Sequence, residues 1–353
     1  MVYIMDGLEG IKDFVEIYRS LIWNVQYYGE SDFELITTGT EENVKKLAVG
    51  RYLVREEDLK GGGEFQNVMI IEGQRLAFDV ELGWTLTVTG RGLKTIVGRR
   101  IVWSQTTISG SVEGIIRQVI NNNIIAPEDP KRQIKNFITE EEKGFEETAD
   151  VQLLGDNISE WLASICQAYG IGWDVYIKGG AYVFKIYKGE DRSYGQTKNT
   201  PVVFSEEYDN LLSSVYTRAA ENFGNAALIG GEGEGANQRT ASIGDAEDLQ
   251  RFEKYVDGSG VSSNGEIITL EQYEKLLEDF GREQLADTGS APKFSGEIQP
   301  DGIFTINRDY GLGDIVQVET EKGITSAPRI IEIIYSEDDS GRSVIPTFSE
   351  WEV

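Results

Sequence analysis

From Leu82 to Val112 the chain reads LGWTLTVTGRGLKTIVGRRIVWSQTTISGSV, thirty-one residues without an Asp or Glu in a protein that carries sixty. Trp84, Leu86 and Val88 alternate with Thr85, Thr87 and Thr89, the period-two pattern of a strand with one buried face. Gly90 is suited to stop that strand, Gly92 to Val97 reads as a single helical turn, and Arg99 and Arg100 open a second strand, Ile101 to Trp103. Arg91, Lys94, Arg99 and Arg100 therefore cluster around a tight strand, turn, strand connection. In a chain of formal charge -27 such a cluster is expected to meet carboxylates, elsewhere in the fold or on a neighbouring subunit. The plainer alternative is a solvated turn.

The same charge balance restricts function. Sixty acids against thirty-three bases argue against a protein that clamps phosphate backbones through a broad basic face. Histidine is absent, which removes serine or cysteine nucleophiles partnered by histidine and zinc sites with histidine ligands. Cys166, the one cysteine, lies at helical spacing from Leu162 and Tyr169 and reads as a small core residue. No cofactor or metal is expected. No run approaches a membrane span, and the N-terminal residues lack the pattern of a signal peptide. Folding in a cytoplasm is the expectation.

With 353 residues, 40% of them hydrophobic, two or three domains are expected. Residues 1–110 read as an antiparallel sandwich or small barrel. Val15 to Tyr27 alternates as one long strand, Gly29 to Asp32 turns it, and Phe33, Leu35 and Thr37 return it. Glu41 to Ala48 fits a helical turn or a loop; Tyr52 to Arg55, Val68 to Ile71 and Leu76 to Val80 fit short strands; Lys60 to Gly63 fits a plain loop. From residue 111 the period changes. Ser111 can cap a helix burying Ile115, Ile116, Val119 and Ile120, ended by Asn121 to Asn123. Asn157 and Glu160 have capping-box spacing before a second helix, and Trp173 to Ile177 with Ala181 to Tyr187 forms a hairpin around Gly179 and Gly180. Residues 111–200 thus form a small α/β insert. Residues 201–353 return to β: Val202 and Phe204, Leu211 to Ala219, Ala226 to Ile229, Gly302 to Asn307, Ile315 to Glu319, Arg329 to Tyr335 and Ser343 to Pro346. An acidic, glycine-rich excursion at about 231–292 interrupts them, with a helix capped by Thr269 and Gln272 and burying Leu270, Tyr273, Leu276, Leu277 and Phe280. The fold class is α+β, mostly β. Trp23, Trp84, Trp161 and Trp173 share the apolar register and are expected in the core.

Three stretches superficially suggest chemistry. GGEGEG at Gly230 to Gly235 has the wrong glycine spacing for a dinucleotide fingerprint, and its glutamates would repel phosphate; it reads as a loop. DGSGVSSNGE, from Asp257 to Glu266, has too few carboxylates for a calcium loop. The acidic runs at Glu140 to Glu142, Glu146 to Glu147 and Glu206 to Glu207 could contain a glycosidase pair, but sixty acids make such coincidences uninformative.

YRSLIWNVQYYGESDFELIT, VTGRGLKTIVGRRIV and the closing YGLGDIVQVETEKGITSAPRIIEIIYSEDDSGRSVIPTFSE resemble, in order and approximate spacing, the central hub proteins at the tail tip of siphophages. That family commonly reads Gly-Arg-Asp-Leu before an arginine-rich strand; Gly90, Arg91 and Leu93 match, whereas Gly92 replaces the acid. Leu312, Gly313 and Asp314 carry the closing match. The resemblance implies two tube-like β domains per chain in a homotrimeric ring, three chains presenting six similar units between a six-fold tail tube and a three-fold tip. It further implies contacts with the distal tail or tube protein, the tape measure and a tip or fibre protein, and an acidic lumen through which DNA passes without specific binding. Arg91, Lys94, Arg99 and Arg100 would then lie at a subunit interface. The role is expected to be structural, not enzymatic, since the last predicted hairpin leaves little chain for an appended hydrolase. The alternatives are a tail-associated cell-wall hydrolase and a monomeric carbohydrate- or receptor-binding module using its tyrosines and tryptophans.

Overall fold

In the computed structural model the described residues are 1–217, 223–265, 267–288, 293–299, 302–320, 322–323 and 325–349. Eleven strands form one sheet through both β regions. Its order is Leu211–Thr217, Lys293–Ile298, Gly341–Phe348, Ile330–Asp338, Ser20–Gln26, Asp32–Thr38, Gly83–Gly92, Met69–Asp79, Tyr52–Arg55, Val2–Met5 and Ile11–Val15. The seam between the two regions is the antiparallel pair Ser20–Gln26 and Ile330–Asp338, with Trp23 opposite Tyr335. Arg55 lies across this seam. Its Nε meets Asp58 Oδ2 at 2.7 Å and its guanidinium carbon sits 3.7 Å from the Tyr335 ring centroid. Among the described residues no closed barrel forms.

The long strand expected from Val15 to Tyr27 is two strands. Ile11–Val15 folds back on Val2–Met5, Ser20–Gln26 joins the seam, and Ile17 between them is exposed. Alternation reports which face is buried and not which neighbour a strand takes, so the break is invisible to it. Val68 to Ile71 and Leu76 to Val80 belong to one strand, Met69–Asp79, with a register shift between Ile71 and Gly73. Its partner Gly83–Gly92 runs through Gly90 without stopping, because a Cβ there would lie 1.8 Å from the Ile70 carbonyl oxygen and only glycine fits. Trp84 is exposed, packed against Phe78 at 5.2 Å between centroids, while Leu86 and Val88 are buried. The expected core position fails for Trp84 because this end of the two-stranded ribbon extends past the body of the sheet.

In the insert, Ser111 Oγ accepts from Gly114 N at 3.1 Å and starts the helix Val112–Ile120, which buries Ile115, Ile116, Val119 and Ile120. The asparagine run continues as a wider π turn, Asn121–Ile125. Asn157 accepts from Ser159 N and Glu160 N and starts Ile158–Ala168. Gly172–Lys178 and Ala181–Tyr187 form the expected hairpin, Gly179 and Gly180 both at positive φ, as a two-residue turn requires. The KGGG loop is itself structural: Leu59–Gly61 and Glu64–Phe65 form a hairpin that extends the insert's sheet beside Gly172–Lys178. One apolar core, from Met5, Val54 and Ile70 to Ile116, Leu162, Cys166 and Trp173, joins the first β region to the insert.

The excursion has a separate core. Ala226–Gly230 lies between Thr240–Ile243, antiparallel, and Glu253–Asp257, parallel, and the helix Leu270–Asp287 covers them with Tyr273, Leu276 and Leu277. Thr269 and Gln272 form a reciprocal capping box, whereas Leu270 at the first turn is exposed. Gly302 to Asn307 is a turn and not a strand: Thr305 N donates to the Asp309 carboxylate at 2.7 Å and Asn307 takes φ 62°. Ala219, at the end of one expected strand, lies outside the described residues. Among the described residues no helix is long and apolar enough to cross a membrane.

Candidate assembly interface

After Gly92 the chain forms a 3₁₀ helix, Leu93–Arg99, and drives Leu93, Ile96 and Val97 into the core shared with the insert. That burial separates the four cations. Lys94, 2% exposed, is turned inward, where its Nζ donates to the carbonyls of Gln26, Tyr27 and Gly29 at 2.7, 3.3 and 2.9 Å. The ammonium also lies 4.8 Å from the Trp173 ring centroid. Burial pulls its pKa down to about 8, against the partly compensating fields of Asp174 and Glu30. Arg91 stays on the surface and satisfies the expectation of carboxylate partners within the fold. Its Nη1 meets Glu30 at 2.7 Å and its Nε meets Glu72 at 2.7 Å, and the hydrogen bond to Glu72 raises its pKa.

Arg99 ends the helix and Arg100 follows it, leading into a segment that is not the expected strand. Ile101 makes a single bridge with Asn157, and Val102 N bonds the Asp156 carbonyl at 2.9 Å. Arg100 Nε donates to the Arg132 carbonyl at 2.7 Å and Nη1 to the Arg99 carbonyl at 2.9 Å. Arg99 is exposed. The structure therefore keeps Arg99 and Arg100 together, places Arg91 in a carboxylate clamp and removes Lys94 from the surface. Sequence spacing did not single out Glu30, which also accepts from Ser159 Oγ at 2.9 Å, nor Arg132, whose carbonyl holds Arg100, nor Trp103, whose ring lies under the Arg132 guanidinium. The tripeptide Arg100, Ile101, Val102 carried no periodic signal, and Arg132 lies thirty-two positions on.

The turn Gln26–Gly29 that receives Lys94 is a meeting point of three regions. A Cβ on Gly172 would lie 2.1 Å from the Tyr27 ring, and one on Gly313, at φ 94°, would lie 2.3 Å from it. Trp173 Nε1 donates to the Tyr28 carbonyl at 2.6 Å and Tyr27 Oη to the Tyr187 carbonyl at 3.1 Å. This explains the Leu312, Gly313, Asp314 sequence. Gly313 gives the ring its space and its carbonyl accepts from Arg329 Nη1 at 2.6 Å. The buried Asp314 accepts from Glu190 N, Gly311 N and Arg192 Nε at 2.7, 2.9 and 2.9 Å.

The acidic and glycine-rich stretches are scaffolding. Glu232 of the GGEGEG segment accepts from Ser262 Oγ and Ser263 N, both at 2.9 Å. Asp257 accepts from Ser259 N at 3.0 Å, and Glu266 lies outside the described residues. Glu140 pairs with Lys143 at 2.9 Å, and Glu147 pairs with Lys188. Among the described residues no three His, Cys, Asp or Glu side chains group as a metal site.

The fold is shared with solved tail proteins over nearly the whole chain. The 43 kDa tail protein of prophage MuSo2 from Shewanella oneidensis is 15% identical with a TM-score of 0.60, covering 99% of this chain and 98% of that one. A tail protein from Neisseria meningitidis MC58 is 14% identical with a TM-score of 0.59, covering 99% and 96%. The prophage tail protein gp18 of Listeria monocytogenes EGD-e is 12% identical with a TM-score of 0.52, covering 98% and 94%. Among curated proteins no sequence matches this chain. The profile of the Siphovirus ReqiPepy6 Gp37-like proteins matches residues 1–348, and the chain belongs to that family of siphovirus tail proteins.

Proposed function

We propose that this tail protein is the structural hub of the tail tip, a homotrimeric ring that joins the six-fold tube to a three-fold tip and leaves a channel for DNA. The observation that carries the reading is the continuous eleven-stranded sheet. In it the strands Val2–Met5 to Gly83–Gly92 lie side by side with Leu211–Thr217, Lys293–Ile298, Ile330–Asp338 and Gly341–Phe348, which supports two adjacent β regions, 1–110 and 201–353, with the α/β insert 111–200 packed on the first. Three such chains present six β units. Ile11–Val15 and Leu211–Thr217 end the sheet, and open edges of this kind are stable when a neighbour covers them. The net charge of -27 disfavours phosphate binding along a lumen, because affinity for DNA depends on cations that displace its counterions.

The role is architectural and needs no catalytic step. Its partners are the tube or distal tail protein above, the tape measure, and a tip or fibre protein below, in a particle assembled in the host cytoplasm. Of the four cations first grouped at a subunit interface, Arg99 and Arg100 are the ones free to serve there. Light scattering at several concentrations tests the ring: three chains of 39.3 kDa give a species near 118 kDa, and a strict monomer in every condition overturns it. In that event the exposed Phe78 and Trp84 pair becomes the surface to screen against glycans.

A further inference from the structure

Carboxylates neutralise many of this chain's cations within the protomer: Arg55 by Asp58, Arg91 by Glu30 and Glu72, Arg192 by Asp314, Lys275 by Asp150. Arg99, Arg100 and Arg132 differ. Arg100 donates to two main-chain carbonyls, and Arg132 Nη2 donates to the Ile101 carbonyl at 2.6 Å and Asn123 Oδ1 at 3.3 Å. Neutral acceptors fix the direction of a guanidinium without cancelling its charge. Arg132 also sits 5.0 Å from the ring centroid of Trp103, which is 65% exposed. Arg99, next to Arg100 in the chain, is exposed at the rim of a cavity it lines with Arg91, Glu30, Glu72 and Glu160 and, among the described residues, its side chain makes no hydrogen bond or ion pair.

We propose that Arg99, Arg100, Arg132 and Trp103 form a docking surface for carboxylates of a second copy of this chain. The inference rests on the ring reading above. Two copies of net charge -27 repel each other over most orientations, and an uncancelled basic face is where their approach is favourable. Guanidinium forks already held by carbonyls lose little freedom on taking a carboxylate, and the stacked Trp103 adds apolar area at the centre of the contact. Duplex DNA is the poorer occupant, because three arginines on so acidic a chain fall short of the broad basic face that backbone binding uses.

The test compares the wild type with Arg99→Glu and Trp103→Ala by sedimentation velocity across a concentration series, in about 50 mM and about 500 mM NaCl, alongside binding of a labelled DNA duplex. Among the described residues the Arg99 side chain makes no intrachain hydrogen bond or ion pair, so Arg99→Glu is expected to leave the fold intact, with circular dichroism as the control. The expected result is a wild-type oligomer whose dissociation constant rises on the order of tenfold in Arg99→Glu and in high salt, with a smaller rise in Trp103→Ala. A wild-type oligomer that Arg99→Glu leaves unchanged overturns the docking surface and leaves the ring standing. A monomeric wild type overturns the ring, and with it the second copy as occupant. Duplex binding by the wild type that Arg99→Glu abolishes overturns the proposal in favour of nucleic acid.

Discussion

The insert and the excursion are both departures from the β framework, and they are attached to the rest of the chain in different ways. The insert is fused: it shares one apolar core with the first β region, and its Gly172 and Trp173 close on the Gln26–Gly29 turn beside Gly313 and Lys94. The excursion keeps its own core and meets the insert through polar groups. Asp279 Oδ2 accepts from Asp150 N at 2.8 Å, Lys275 Nζ pairs with Asp150 at 3.1 Å, and Gln152 exchanges hydrogen bonds with Ser262 at 2.6 and 2.9 Å. A cleft of about 450 Å³, lined by Asp156, Glu160 and Glu283 as well as Leu276 and Phe280, remains between them. Apolar interpenetration fixes one arrangement because any displacement opens voids. A polar seam over an open cleft can exchange its bonds for water at small net cost, so the excursion is expected to open at lower cost than the insert.

Three substitutions sharpen this contrast. The largest effect is expected for Gly313→Val, which drives a branched side chain into the Tyr27 ring at a backbone φ of 94°. A loss above about 3 kcal/mol is expected in urea unfolding, and a loss below about 1 kcal/mol would show that the joint yields. Next comes Lys94→Met, which leaves the carbonyls of Gln26, Tyr27 and Gly29 without their donor and is expected to cost about 2–4 kcal/mol at neutral pH.

The same residue has a pH signature. Burial lowers the Lys94 pKa from 10.5 to about 8, so between those values the unfolded chain holds the proton more tightly than the fold. The Lys94 contribution to stability therefore rises with pH from about 8 upward and is flat below. The Tyr27 and Tyr28 hydroxyls, pushed up by burial, oppose that rise once pH passes 10. Wild type measured against Lys94→Met from pH 7 to 10 isolates the lysine, and parallel curves would refute the assignment.

The smallest effect is expected for Asp279→Ala. It removes the acceptor for Asp150 N and should cost about 1–2 kcal/mol, confined to the excursion. Hydrogen exchange should accelerate in residues 226–257 and 270–287 while Gly172–Lys178 keeps its protection. Equal acceleration in both regions would mean that excursion and insert unfold as one unit.

Much of the local structure was legible in the chain. Ser111, Asn157 and Thr269 cap the helices their spacing marks, and the Gly179, Gly180 turn holds its hairpin, because caps and turns are decided within a few residues. What failed depended on distant partners. The alternation of Trp84 with Leu86 and Val88 was real, but only the reach of Tyr52–Arg55 and Asp32–Thr38 determines where the ribbon leaves the sheet. The four cations from Arg91 to Arg100 stand out in an acidic sequence, yet nothing local says that Lys94 points inward and Arg99 outward. The turn of a 3₁₀ helix packed on one face makes that choice.

The sequence by itself determined a mostly β protein with an α/β insert and an acidic excursion, since period, capping residues and charge are local quantities. It also marked Gly313 and Asp314 through a family resemblance, without a reason for them. The tertiary structure decided that the two β regions share one sheet, that Tyr27 needs glycine at both 172 and 313, and which arginines keep an uncancelled charge. Each of these is a contact between residues far apart in the chain, and whether a charge is paired, a ring is enclosed or a strand edge is covered depends on the neighbour that folding brings.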